Sequence, residues 1–142
     1  MVPEVAMPLV PETVIERGDR WTVAVNRNQN LLGKCLIVLN RPELSVVGLS
    51  VPEWMDLHRQ LARLRVAIDD LFAPDQYNDA FLMNVDSQVH LHAVPRYRTP
   101  RQWRDETYVD LRYGHLFIED HRLWSAADLA DLREAIALRL PA

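Results

Sequence analysis

The stretch Gln88-Val89-His90-Leu91-His92-Ala93-Val94-Pro95-Arg96 places two imidazoles two residues apart inside a short apolar run. Side chains of a strand alternate between its faces and advance roughly 7 Å for every two residues. As a strand, Gln88, His90, His92 and Val94 share one face, and Val89, Leu91 and Ala93 share the other. The second face is apolar and suits packing beneath a helix. The first carries two titratable rings beside an amide, and Asn84 stands close enough in sequence to join them. Four kinds of chemistry fit such a face. The rings can be satisfied surface histidines without a task. They can bind zinc, for which a third protein ligand is needed and only Asp86 and His58 offer themselves. One ring can act as a general acid or base, or one can act as a nucleophile. The spacing alone does not choose among these.

The elements that would hold this face are readable from the rest of the chain. The stretch 20–25 (RWTVAV) is β-rich, and 34–39 (KCLIVL) is a continuous apolar run, so both read as strands around a turn at 26–33. Ser50, Pro52 and Glu53 open a helix with a capping box. Trp54, Leu57, Leu61, Leu64, Ile68 and Leu71 then recur at spacings of three and four, one amphipathic stripe ending before Pro74. The stretches 79–84 (DAFLMN) and 88–94 (QVHLHAV) read as a hairpin joined by Val85-Asp86-Ser87. Residues 95–124 read as irregular. A second helix begins at Ser125, with Asp128 in the capping position and Leu129, Leu132, Ile136 and Leu140 behind it. Short links favour antiparallel pairing, so the expected fold is α+β, an antiparallel sheet of about five strands with one central and one C-terminal helix.

Composition sets bounds on function. The 142 residues fit one domain, 49% hydrophobic and 25% charged. A net charge of -4 and a pI near 5.7 oppose non-specific binding to nucleic acid polymers but leave room for a local nucleotide site. A single cysteine, Cys35, excludes an internal disulfide. With no membrane-length apolar run, it supports the expectation of a cytoplasmic protein. Residues 1–19, with Glu4 and early prolines, make a poor signal peptide and read as an irregular arm. Residues 20–98 read as the functional core and 99–142 as a C-terminal extension of the same domain.

The histidine stretch resembles the signature of the histidine triad family, His-x-His-x-His followed by apolar residues and often Pro-Arg. It matches except at the first histidine, where Gln88 stands. The stretch 23–42 (VAVNRNQNLLGKCLIVLNRP) resembles the family's first hairpin. The stretch 77–97 (YNDAFLMNVDSQVHLHAVPRY) resembles the bacterial branch described as diadenosine tetraphosphate hydrolase-like. The resemblance covers roughly residues 20–98.

It implies a hydrolase or transferase acting at the α-phosphorus of dinucleoside polyphosphates or of nucleoside monophosphate esters and amidates. His90 is the implied nucleophile, forming a nucleotidyl-histidine that water resolves. His92 is implied to contact phosphate oxygens or protonate the leaving group. Asn84 matches the amide aimed at phosphate, Asn26 matches the residue at the ribose hydroxyls, and Trp21 and Val25 are candidates to face the base, with plain core the competing reading for both and the favoured one for Val25. Gln88 replaces the first histidine and Lys34 a supporting one. The expectation is that they substitute as a pair, in side-chain contact. The family's phosphate loop is absent, with Ser87 left as a donor. Arg96, Arg98, Arg101 and Arg104 are candidates for distal phosphates or plain surface charge. The resemblance further implies a homodimer, a purine nucleotide partner and no resident cofactor, Mg²⁺ arriving only with substrate. The alternative is a nucleotide-binding module with little turnover.

Overall fold

A computed structural model describes residues 7–117 and 121–142. The chain opens with a 3-10 turn at Pro11–Thr13 and continues through strands β1 (Val14–Arg17), β2 (Trp21–Val25) and β3 (Cys35–Leu39). Helix α1 (Val51–Phe72) follows, then β4 (Gln76–Phe81) and β5 (His90–Arg96). A small hairpin of β6 (Arg101–Trp103) and β7 (Glu106–Tyr108) precedes helix α2 (Ala126–Ala137). The main sheet is antiparallel, in the order β1-β2-β3-β5-β4. This is the expected α+β architecture, a five-stranded main sheet with two helices among the described residues.

The pleat divides the sheet as the alternation of residue types requires. Trp21, Val23, Ile37, Leu39, Val89, Leu91 and Ala93 join Leu57, Leu64, Ile68, Leu129, Leu132 and Ile136 in one core. Both helices therefore cover one face, and the histidines lie on the other. The stripe read from sequence holds at Leu57, Leu64 and Ile68, with Leu61 and Leu71 partly buried beside the core, whereas Trp54 is exposed and Ala67 and Phe72 complete the buried face. The start of α1 is the capping box, with Ser50 Oγ accepting from Glu53 N–H and Glu53 accepting from Ser50 N–H. Arg41 clamps the same Glu53 carboxylate through two bonds of 2.7 and 2.8 Å. That cation, more than offsetting burial, holds the carboxyl at about 2.

Four boundaries differ from the sequence reading. The arm expected to be irregular contains β1, an edge strand. The first strand of the hairpin expected at 79–94 runs from Gln76 to Phe81, because Met83 adopts a left-handed backbone (φ 44°) and breaks the apolar run Phe81-Leu82-Met83. The link between β4 and β5 is consequently residues 82–89, not a three-residue turn. The polar stretch after residue 95 contains β6 and β7. Among the described residues no helix is long and apolar enough to cross a membrane.

Candidate functional site

His90 and His92 sit at the start of β5, opposite Val38 and Leu36 of β3. Their ring centroids are 4.9 Å apart. His90 is 4% exposed, and its Nδ1 lies 2.7 Å from the main-chain carbonyl oxygen of Gln88. A carbonyl only accepts, so Nδ1 carries a proton, and the lone pair of the neutral ring falls on Nε2. A neutral imidazole held in this tautomer has the form a nitrogen nucleophile or a general base requires. His92 is half-buried and engaged within the protein.

His92 also lines a mostly apolar cavity of about 240 Å³ with Leu9, Val10, Val25, Asn26 and Leu36. The fold thus brings two sequence candidates, Asn26 and His92, to one hollow large enough for a planar ring. Asn26 is positioned from both sides. Its N–H donates to Lys34 O at 2.9 Å, and its Oδ1 accepts from Asn28 N–H at 2.9 Å. The loop behind it is built around Gln29, a residue that sequence reasoning passed over. Buried completely, Gln29 donates to Asn26 O and Lys34 O and accepts from Gly33 N–H at 2.8 Å. Gly33 is required there: its φ is +85°, and a Cβ would press on Phe72 and Ile68. Asn84 and Ser87 stand exposed in the link before β5, where side-chain donors remain open to an incoming group. Asp86 points back, accepting from Gln88 N–H at 3.0 Å.

Several expectations are corrected. Gln88 does not present its amide beside the imidazoles. It is wholly buried, donating to Leu39 O and Arg41 O at 2.9 and 2.8 Å and accepting from Glu43 N–H at 3.1 Å. These bonds use both donors and an acceptor lone pair to pin the 40–43 turn against the entry to β5. Nor do Lys34 and Gln88 form a pair. Lys34 precedes Cys35, which is opposite Ala93, whereas Gln88 bonds at the far end of β3 beside Leu39. Five residues from Lys34 to Leu39 correspond to roughly 16 Å of strand. Lys34 is 1% exposed and engaged within the protein, so it offers no solvent-facing ammonium. Trp21 lies on the core face, its Nε1–H donating to Glu53 O at 2.9 Å, and faces no base.

The arginines beyond the strand are structural. Arg96 is buried at the centre of a hub, with Asp110 bound in a fork (2.7 and 3.1 Å) and Asn78, Arg112 O and His115 O around it. Arg101 donates to Phe72 O and Ala73 O, capping the C-terminus of α1 where a cation is favoured. Arg104 bridges Asp128 and Asp131 of α2, and Arg98 donates to the Tyr113 hydroxyl. Among the described residues no three His, Cys, Asp or Glu side chains gather as metal ligands, and His58 faces outward from α1. Two larger hollows, under the β6–β7 hairpin and along β4, contain neither His90 nor His92.

No protein-family model matches the sequence, and no curated protein matches it. Solved structures do match in shape. A histidine triad protein from Bradyrhizobium japonicum aligns with a TM-score of 0.68 at 20% identity, over 95% of this chain and 98% of that one. The Plasmodium falciparum diadenosine triphosphate hydrolase, solved with cyclomarin A, aligns with a TM-score of 0.70 at 16% identity, over 95% and 81%. A histidine triad protein from Sinorhizobium meliloti aligns at 0.69 and 14% identity, over 90% and 89%. The sheet order, the single face that carries both histidines and these alignments along most of the chain lead to one statement: this protein has the histidine triad fold.

Proposed function

We propose that the protein is a nucleotide hydrolase or transferase that cleaves at the α-phosphorus through a nucleotidyl-His90 intermediate. The observation that carries this reading is the 2.7 Å bond from His90 Nδ1 to the Gln88 carbonyl, which leaves Nε2 as the nucleophilic nitrogen. The nucleoside lies in the cavity of Leu9, Val10 and Leu36, with Asn26 at the ribose hydroxyls. His92, next to His90, faces the phosphate oxygens or the leaving group. Asn84 and Ser87 donate to phosphate from the link before β5. Charge builds on those oxygens in the transition state, and donors already in place stabilise it. The substrates are dinucleoside polyphosphates or nucleoside monophosphate esters and amidates, as in the diadenosine tetraphosphate hydrolase-like branch. The working protein is a cytoplasmic homodimer without a resident cofactor.

The absence of a phosphate loop between Asn84 and Gln88 favours one alternative, a module that binds nucleotide and turns it over poorly. Intact-protein mass spectrometry separates the two. Wild type and His90→Ala are exposed briefly to diadenosine tetraphosphate or an adenylated amine, quenched, and weighed while AMP is followed in the same tubes. AMP release that disappears in the variant, with an adenylyl adduct on the wild type alone, is the expected result. AMP binding with neither adduct nor release from any substrate gives the alternative.

A further inference from the structure

The histidine face holds a second cavity, and its position suggests a task that the nucleoside pocket leaves undone. It measures about 300 Å³ and is lined by Arg17, Thr22, Val38 and Asn40, with Met7 and Pro8 above. Three pairings set its place. Arg17 is opposite Thr22, Thr22 is opposite Val38, and Val38 is opposite His90. One row therefore runs straight across β1, β2, β3 and β5, from a guanidinium to the imidazole. The neighbouring row, Ala24, Leu36 and His92, underlies the nucleoside cavity. A phosphorus atom at His90 would stand at one end of this row, with the nucleoside row beside it and Arg17 at the far end. At the spacing of paired strands the row spans roughly 14 Å from Arg17 to His90, backbone to backbone, within reach of a polyphosphate chain met by a long arginine.

The chemistry of the lining is selective. Thr22 Oγ1 donates to Asn40 Oδ1 at 2.6 Å, and Asn40 Nδ2 donates to Gly18 O at 2.8 Å, so those groups serve the fold. Glu16 turns to the helix face, where its carboxylate pairs with Arg63. Alternation then turns Arg17 to the histidine face. Among the described residues the Arg17 side chain has no hydrogen bond or ion pair, and no carboxylate lines the cavity with it. A planar, permanently charged fork left unspent at the end of this row is suited to phosphate oxygens.

The geometry points to a leaving-group subsite: Arg17 receives the departing nucleoside di- or triphosphate when His90 attacks. This inference rests on the proposed function. In the step, a bond forms from His90 Nε2 to the α-phosphorus. The bond from that phosphorus to the bridging oxygen breaks, and the oxygen leaves with the electron pair as a phosphate terminus of the product. Water later cleaves the N–P bond and releases the monophosphate. Arg17 neutralises charge on the leaving chain and acts as a specificity residue, favouring anionic leaving groups over neutral ones.

The test is a ratio of kcat/KM values. Diadenosine tetraphosphate and an AMP amidate with an uncharged amine leaving group are compared in wild type, Arg17→Ala, Arg17→Lys and Arg59→Ala, the last an exposed helix arginine outside the site. Arg17→Ala is expected to lower the tetraphosphate-to-amidate ratio by about 10- to 100-fold, the scale of a hydrogen bond to a charged group. Arg17→Lys should recover part of it, and Arg59→Ala should match wild type. Thermal unfolding verifies that each variant is folded. An unchanged ratio in Arg17→Ala overturns the subsite and leaves the proposed function standing. A wild type that cleaves neither substrate overturns both.

Discussion

At the scale of single residues, a familiar-looking position has changed its work. Gln88 stands where the resemblance calls for an imidazole, yet its side chain joins three main-chain groups of the 39–43 segment. Removing it strands buried donors and acceptors, each at a cost of order 1–3 kcal/mol, part of which water recovers at the edge of the turn. Gln88→Ala should therefore lose about 2–4 kcal/mol in urea unfolding. A loss below 0.5 kcal/mol would show that the turn holds without it. His90 and His92 were legible from spacing alone, since strand alternation left them no choice of face. The burial and partners of Lys34, and the engagement of Arg96, were not legible. Their neighbours lie far along the chain, and no local pattern encodes them.

Among elements, α1 was the most readable because a capping box, a three-four apolar stripe and a following proline all agree. The β1 edge strand was least readable: three half-buried residues and an exposed Arg17 carry no apolar alternation. The β4–β5 link is hidden in the sequence because Phe81-Leu82-Met83 has the pattern of a strand, while the positive φ at Met83 ends it. The segment after β7 is anchored through the buried Arg96–Asp110 pair, both side chains 2% exposed. Breaking such a pair on one side is costly, and Asp110→Ala should destabilise by about 3–5 kcal/mol. Burial alone would push the Asp110 carboxyl up. The Arg96 fork and the N–H groups of Tyr97 and Arg112 outweigh it and hold the carboxyl below its ordinary value. Unfolded chains then take up the proton first on acidification. The pair's contribution is complete above the ordinary carboxylate pKa and falls away as pH drops through the lower folded value. Urea midpoints measured from pH 7 down to pH 2 should show this acid loss in wild type and less of it in Asp110→Asn.

For the whole molecule, the open edge of the sheet is the feature to account for. Among the described residues β4 pairs with β5 alone, so it forms an edge of the sheet. Beside it, Trp54 stacks edge-on against Phe81 at 6.0 Å while remaining 42% exposed, and Met55 is also open. A second copy docked edge to edge would cover both the strand and this patch, in keeping with the proposed homodimer. Light scattering after size exclusion should give twice the chain mass of 16.5 kDa. Trp54→Glu should give the single-chain mass with unchanged circular dichroism. A wild type that remains single-chain at high concentration removes the dimer from the scheme.

The carbonyl that orients His90 belongs to the peptide backbone, not to a side chain. No single substitution at position 88 deletes it, since every residue type brings the same oxygen. The tautomer of the His90 ring is thus insulated from the identity of the residue that supplies the carbonyl. The orientation of the ring is therefore compatible with a glutamine at this position, whose side chain braces Leu39, Arg41 and Glu43 instead. A signature written in side chains scores this as a loss, whereas the atom that sets the ring's reactivity was never open to mutation.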